Sequence, residues 1–182
     1  NTIIAFSRAL SQKGRLAHDW KEYWGLCLCF DALIGNTDRH QENWGVIWTQ
    51  NDTGAHFSPY FDNGTSLGHE LFPKKIKAYK EDGNALLKYI NRGQHHMKWS
   101  SQDDSRMGLI EGVQQFWTKY PTVVPILKER LTAWNGEQLW PMLDHLTKFS
   151  IEAPLTAFRA DFVYSLTMKR RELLLKALEE MK

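Results

Sequence analysis

Asp38 and Asn43 stand five residues apart in the polar run GNTDRHQEN (35–43), and Asp62 follows in the triplet DNG (62–64). Two carboxylates and one carboxamide provide oxygen donors and a base. Oxygen donors suit a hard cation such as Mg²⁺, which usually binds together with a substrate phosphate. The remaining carboxylate is free to receive a proton from an attacking hydroxyl. The residue types therefore point to phosphoryl chemistry, provided the fold brings position 62 back to position 43.

The flanking sequence supplies elements that do this. Residues 18–34, HDWKEYWGLCLCFDALI, place Trp20, Tyr23, Trp24, Cys27, Phe30 and Ile34 at helical spacing, with Leu26 and Leu33 widening the stripe. Gly35 ends this helix as a C-terminal cap, so the polar run is a loop on a rigid support. Residues 44–48, WGVIW, alternate as a short strand, TQNDTG turns the chain, and AHFSPYF (55–61) returns as a strand ended by Pro59. The order is helix, polar loop, hairpin, acidic–glycine turn.

Protein kinases use this order: a catalytic-loop Asp, an Asn five residues on, two short strands, then a second metal-binding Asp. G-N-x-D-R-H-x-x-N followed by DNG resembles the C-terminal lobe of HipA-like serine/threonine kinases, the toxin components of bacterial toxin–antitoxin pairs. The D-R-H-x-x-N core is shared with phosphatidylinositol 3- and 4-kinases, and the lead-in LIGNTD points to the HipA branch. The resemblance runs from about Trp24 to Gly68. It implies ATP and Mg²⁺ as cofactors, a protein substrate, and an antitoxin partner that is DNA-bound in the family. It implies Asp38 as the base or hydroxyl-orienting carboxylate, with His40 as a second catalytic-loop residue that bonds backbone or Asp62. Asn43 and Asp62 are implied as the Mg²⁺ and nucleotide ligands. Asn36 lies on the cofactor side, capping the loop or approaching substrate, and Arg39 supports the loop. One departure is Asn63, where protein kinases place Phe in the corresponding triplet; it argues against regulation by movement of that ring.

The rest of the sequence reads as helices over 105–119, 121–134, 137–149 and 152–181, the last bent or split near Ala160. Ser100–Asp103 reads as a capping region, and Asn135-Gly136 as a helix end. Residues 65–100 read as irregular, with one short helix at 84–91. The fold class is mainly α, a kinase C-lobe-like helical domain with a short β-hairpin carrying the metal-binding loop. Residues 1–182 form one domain. The 37 residues before Asp38 read as helix and hold no glycine-rich phosphate loop after a strand. The sequence is therefore expected to be the C-terminal lobe of a larger kinase, with little turnover by itself.

A net charge of +2 in 182 residues is too small for a dedicated nucleic-acid binder. No apolar run is long enough to span a membrane, and the first residues lack the pattern of a signal peptide. Cys27 and Cys29 are too close for a CxxC motif and point to different helix faces, which suits free thiols in the cytoplasm. Asn51 and Asn63 match the glycosylation pattern by chance in that compartment. Most of the eight Trp are expected in the core. Lys74, Lys75, Lys77 and Lys80 read as a solvated basic loop, Lys169-Arg170-Arg171 as a solvated helix face, and Glu22 and Asp31 as surface or capping residues. His69, His95 and His96 lack a zinc-like spacing. Two other readings share the motif: a lipid or small-molecule kinase, and a non-catalytic lobe that holds an antitoxin or other partner.

Overall fold

The computed structural model describes residues 2–48 and 54–180; Asn51 lies outside them. The elements are α1 (Thr2–Gln12), α2 (Trp20–Ile34), β1 (Val46–Trp48), β2 (Ala55–Phe57), α3 (Pro73–Glu81), α4 (Gly83–Arg92) and α5 (Leu109–Lys119). A 3₁₀ turn (Pro121–Val123), α6 (Val124–Ala133), α7 (Gly136–Leu146) and α8 (Ala157–Glu179) complete the order. The architecture is mainly α with one antiparallel hairpin, in which Val46 pairs with Phe57 and Trp48 with Ala55.

Helix α2 forms where the apolar spacing requires it. Asp19 caps its start by accepting from the Lys21 amide at 2.9 Å. Gly35 ends it at φ 73°, with its amide donating to the Asp31 carbonyl. A left-handed backbone there favours glycine. A Cβ at position 35 would also overlap the Arg170 guanidinium. Trp20, Trp24, Cys27 and Leu28 of α2 bury against Phe116 and Trp117 of α5, and Leu127 of α6 and Leu174 of α8 close the same core.

Helix α8 runs through the whole domain. Leu174, Ala177 and Leu178 join the main core, Phe162 and Leu166 pack with Ile76 and Ile90 of α3 and α4, and Ala160 and Val163 pack with Leu143 of α7. The buried residues of α8, Ala160, Val163, Thr167, Arg170, Leu174 and Ala177 among them, recur three or four apart on one face, while Ser165, Glu172, Lys176 and Glu179 on the other face are exposed. The helix is continuous through Ala160 and starts at Ala157, so it is not split there. Arg170 is buried at 3% exposure, not on a solvated face, and its Nη1 donates to the Ile34 carbonyl at 2.8 Å.

Residues 65–100 hold two helices where irregular structure with one was expected. Pro73 opens α3, and Asp82 caps α4 by accepting from Asn84 and Ala85. Only Ile76 of α3 enters the core, so the sequence shows no helical period there. Lys74, Lys75, Lys77 and Lys80 are exposed along this helix, and Lys80 pairs with Asp161. Ser100–Asp103 caps no helix. The Ser100 amide donates to Asp103 Oδ2 at 2.7 Å within a turn, and α5 starts later, at Leu109. Asn135 likewise begins a helix, capping α7 through the Glu137 amide at 3.0 Å. Among the eight Trp, Trp20, Trp24 and Trp117 are buried, whereas Trp48 and Trp140 are exposed. Cys27 and Cys29 are buried free thiols, and burial pushes Cys29 up to about 12.

Candidate active site

The loop after α2 is built on a buried ion pair. Asp31, in the last turn of α2, is fully buried and accepts from Arg39 Nε at 3.0 Å and Nη2 at 2.7 Å. Burial pushes the Asp31 carboxyl above its ordinary value, and Arg39 opposes that shift. Burial alone would lower the Arg39 guanidinium, yet the bonds to Asp31 hold it above its usual value. The fork of Arg39 has donors to spare. Its Nη1 reaches the carbonyls of Asn43 (3.1 Å) and Phe61 (2.6 Å), and its Nη2 reaches Asn63 Oδ1 (2.7 Å). One side chain thus ties the end of α2, the polar loop and the DNG turn together.

Asn36 is also fully buried. Its Nδ2 donates to Asp31 Oδ1 at 3.2 Å, and its Oδ1 accepts from the Asp38 amide and from Thr65 Oγ1, both at 3.1 Å. These partners occupy the amide in shaping the loop around Asp38.

Asp38 is then half-exposed at the surface of the loop, its carboxylate 3.8 Å from His96 Nδ1. His40 is half-buried. Its Nδ1 accepts from the Glu42 amide at 3.2 Å, and its ring meets that of His96 edge-on at 5.6 Å. Of the two partners expected for His40, backbone is present, and Asp62 bonds elsewhere. Asn43 Nδ2 donates to Asp62 Oδ2 at 2.6 Å, and Asn43 Oδ1 accepts from the His40 amide at 3.1 Å. Asp62 is held at φ 55°, a conformation sparsely used by residues other than glycine. The hairpin therefore returns position 62 to position 43, as phosphoryl chemistry requires.

The donor set fits a hard cation. A carboxylate beside a carboxamide suits Mg²⁺, which takes one or two protein ligands and fills the rest with phosphate and water. Here Asn43 presents Nδ2 to Asp62 and its Oδ1 to the His40 amide, so the side-chain amide would turn over to offer its oxygen to a cation. Among the described residues, no three His, Cys, Asp or Glu side chains converge on a metal-binding position. His95 and His96 diverge. His96 is exposed beside Asp38, while His95 is fully buried with both ring nitrogens unpartnered. Burial lowers the His95 ring to about 4, and the nearby Leu109 backbone offsets this in part without reaching hydrogen-bond geometry.

Three residues of this assembly escaped the sequence reading. Asp31 carried a usable signal: it follows Cys27 by four residues and Leu28 by three, so a charge falls on the buried stripe. His96 arrives from the non-helical segment between α4 and α5 and Arg170 from α8, and neither left such a signal.

No family model matches the sequence, and no curated protein matches it. A solved structure does match, described as a Helicobacter pylori proinflammatory kinase, CtkA. The similarity has a TM-score of 0.69 at 19% identity and covers 89% of this chain and 54% of that one. The chain thus has a kinase-like fold and spans about half the length of that solved kinase. Among the described residues, no helix is long and apolar enough to cross a membrane.

Proposed function

We propose that this chain is the C-terminal lobe of a HipA-like kinase, which transfers the γ-phosphoryl group of ATP to a Ser or Thr hydroxyl of a protein. The observation that carries the reading is the 2.6 Å contact of Asn43 with Asp62 on the loop that also presents Asp38. Asp38 accepts the hydroxyl proton as the oxygen forms its bond to the γ-phosphorus. The bond from that phosphorus to the bridging oxygen breaks, and ADP leaves with the electron pair. Asn43 and Asp62 would hold Mg²⁺, which would neutralise charge on the phosphates. Arg39 and Asn36 fix the backbone of the loop, and such preorganised positioning supplies most of this kind of catalysis.

Asn63, the departure from the protein-kinase triplet, is compatible with this reading: its Oδ1 accepts from Arg39, which anchors the DNG turn by a polar contact. The free, buried thiols accord with a reducing cytoplasm. An antitoxin partner belongs to the same family reading.

The test is transfer of γ-labelled phosphate by the full-length protein. Asp38→Asn should lower kcat by about 10²–10⁴, the usual contribution of a positioned base. Asn43→Ala and Asp62→Asn should weaken Mg²⁺-dependent ATP binding in calorimetry. Undiminished phosphorylation by Asp38→Asn would overturn the base assignment. Absence of Mg²⁺-dependent ATP binding in the wild type would leave a non-catalytic binding lobe.

A further inference from the structure

An apolar cavity of about 380 Å³ opens beside the catalytic loop. Its floor is Trp24, Leu28, Met107 and Phe116, all buried core residues. Ile4 of α1 forms one wall, and Met97 and Trp99 of the 93–108 segment form another. Interiors normally pack without voids of this size. Its volume and apolar lining with a few polar groups match those of ligand sites.

The rim decides what enters. His40, Gln41 and His96 line the mouth. His96 is the residue 3.8 Å from the Asp38 carboxylate, and His40 packs on it. None of Asp38, Asn43 and Asp62 lines the cavity; its link to the loop is His96 at the mouth, which stands beside Asp38 and so ties the cavity to the hydroxyl side. The charged or titratable residues at the cavity are His40, His96 and Lys98, with no acid among them, which disfavours a cationic occupant.

We propose that this cavity receives an uncharged apolar side chain (Leu, Met, Phe or Trp) of the polypeptide substrate, within a few residues of the hydroxyl that Asp38 addresses. The inference rests on the kinase reading and adds a specificity pocket to it. Seating that side chain places the hydroxyl beside Asp38, and the 93–108 segment forms part of the wall that selects it. That segment is fixed in position by the His95 amide to the Met107 carbonyl at 2.7 Å and the Leu109 amide to the Gly93 carbonyl at 3.0 Å.

Two measurements on the full-length protein test this. The first is binding without turnover. Methionine methyls are ¹³C-labelled, and a peptide with Ala in place of the acceptor Ser and one Phe or Leu nearby is titrated in. Met97 and Met107 should shift, while Met142 and Met168, which are outside the cavity, stay fixed. A matched peptide with Ala for the apolar residue should bind at least tenfold more weakly. Shifts of Met97 and Met107 on adding a non-hydrolysable ATP analogue, and not the peptide, would overturn the proposal in favour of a nucleotide pocket. No shift with any peptide would also overturn it.

The second is kcat/KM across Ser peptides. Ile4→Trp, which fills the cavity from α1, should lower kcat/KM at least tenfold for the apolar-flanked peptide and leave the Ala-flanked peptide unchanged. An equal loss on both peptides, or no flank preference in the wild type, would reject the pocket while the kinase reading stands. Undiminished phosphorylation by Asp38→Asn would instead reject the catalytic reading, with the methyl shifts still reporting on the pocket.

Discussion

Replacing Arg39 by Met keeps an unbranched side chain of similar length and removes all five of its hydrogen bonds: two to Asp31, and one each to Asn43, Phe61 and Asn63. The Asp31 carboxylate then stays at zero exposure with Asn36 Nδ2 at 3.2 Å and the weak Cys27 thiol donor at 3.9 Å as its remaining side-chain partners. Removing one partner of a buried pair costs about 3–5 kcal/mol, chiefly because the other charge is left uncompensated. At roughly 2–4 °C per kcal/mol for a chain of this size, Tm should fall by about 6–20 °C. Denaturant unfolding followed by tryptophan fluorescence measures the loss directly. Asp31→Leu combined with Arg39→Met removes both charges and should recover most of the stability. Kinase activity should not recover with it, because the carbonyls of Asn43 and Phe61 remain untethered. A single variant within 1 kcal/mol of wild type, or a double variant with full activity, would refute the view that Arg39 organises the loop.

Three further outcomes are expected. His95 is neutral when buried, so the unfolded chain binds a proton between about pH 6.5 and 4 that the folded chain does not; stability is full above pH 6.5 and lost as pH falls. The difference of 2.5 pH units corresponds to about 3 kcal/mol, and urea midpoints from pH 7 to 4 should fall more steeply for wild type than for His95→Leu. Gly35→Ala forces a left-handed alanine against Arg170 and should lose about 2–4 kcal/mol, read by thermal unfolding. Cys27 and Cys29 both have thiols raised by burial, so a thiol-reactive dye should label neither in the folded protein at pH 8 and both in denaturant.

The parts of the fold that sequence made legible are those encoded locally. The apolar period of α2, the glycine after it and the turn residues around the hairpin are read from neighbours in the chain, and they bring Asp62 to Asn43 on the loop that carries Asp38. What escaped depends on distant partners. Asp31 looks like a capping acid until Arg39 folds back onto it, and Arg170 looks solvated until α8 lies against the end of α2. Helix α3 was invisible because four lysines and a single buried Ile76 give no period. His96 reaches Asp38 only because the 93–108 segment is held to α5 by backbone bonds.

The bond from Arg170 to the Ile34 carbonyl joins residues 136 positions apart. During synthesis residues 35–43 leave the ribosome long before the helix that braces them. Until Arg170 emerges, the carbonyl at the end of α2 lacks that donor, and the cores that α8 completes are open. Contacts of such sequence separation close late, because loop entropy must be spent first. The loop is therefore made well before it is organised, so a nascent or truncated chain ending before α8 carries residues 35–43 without their geometry.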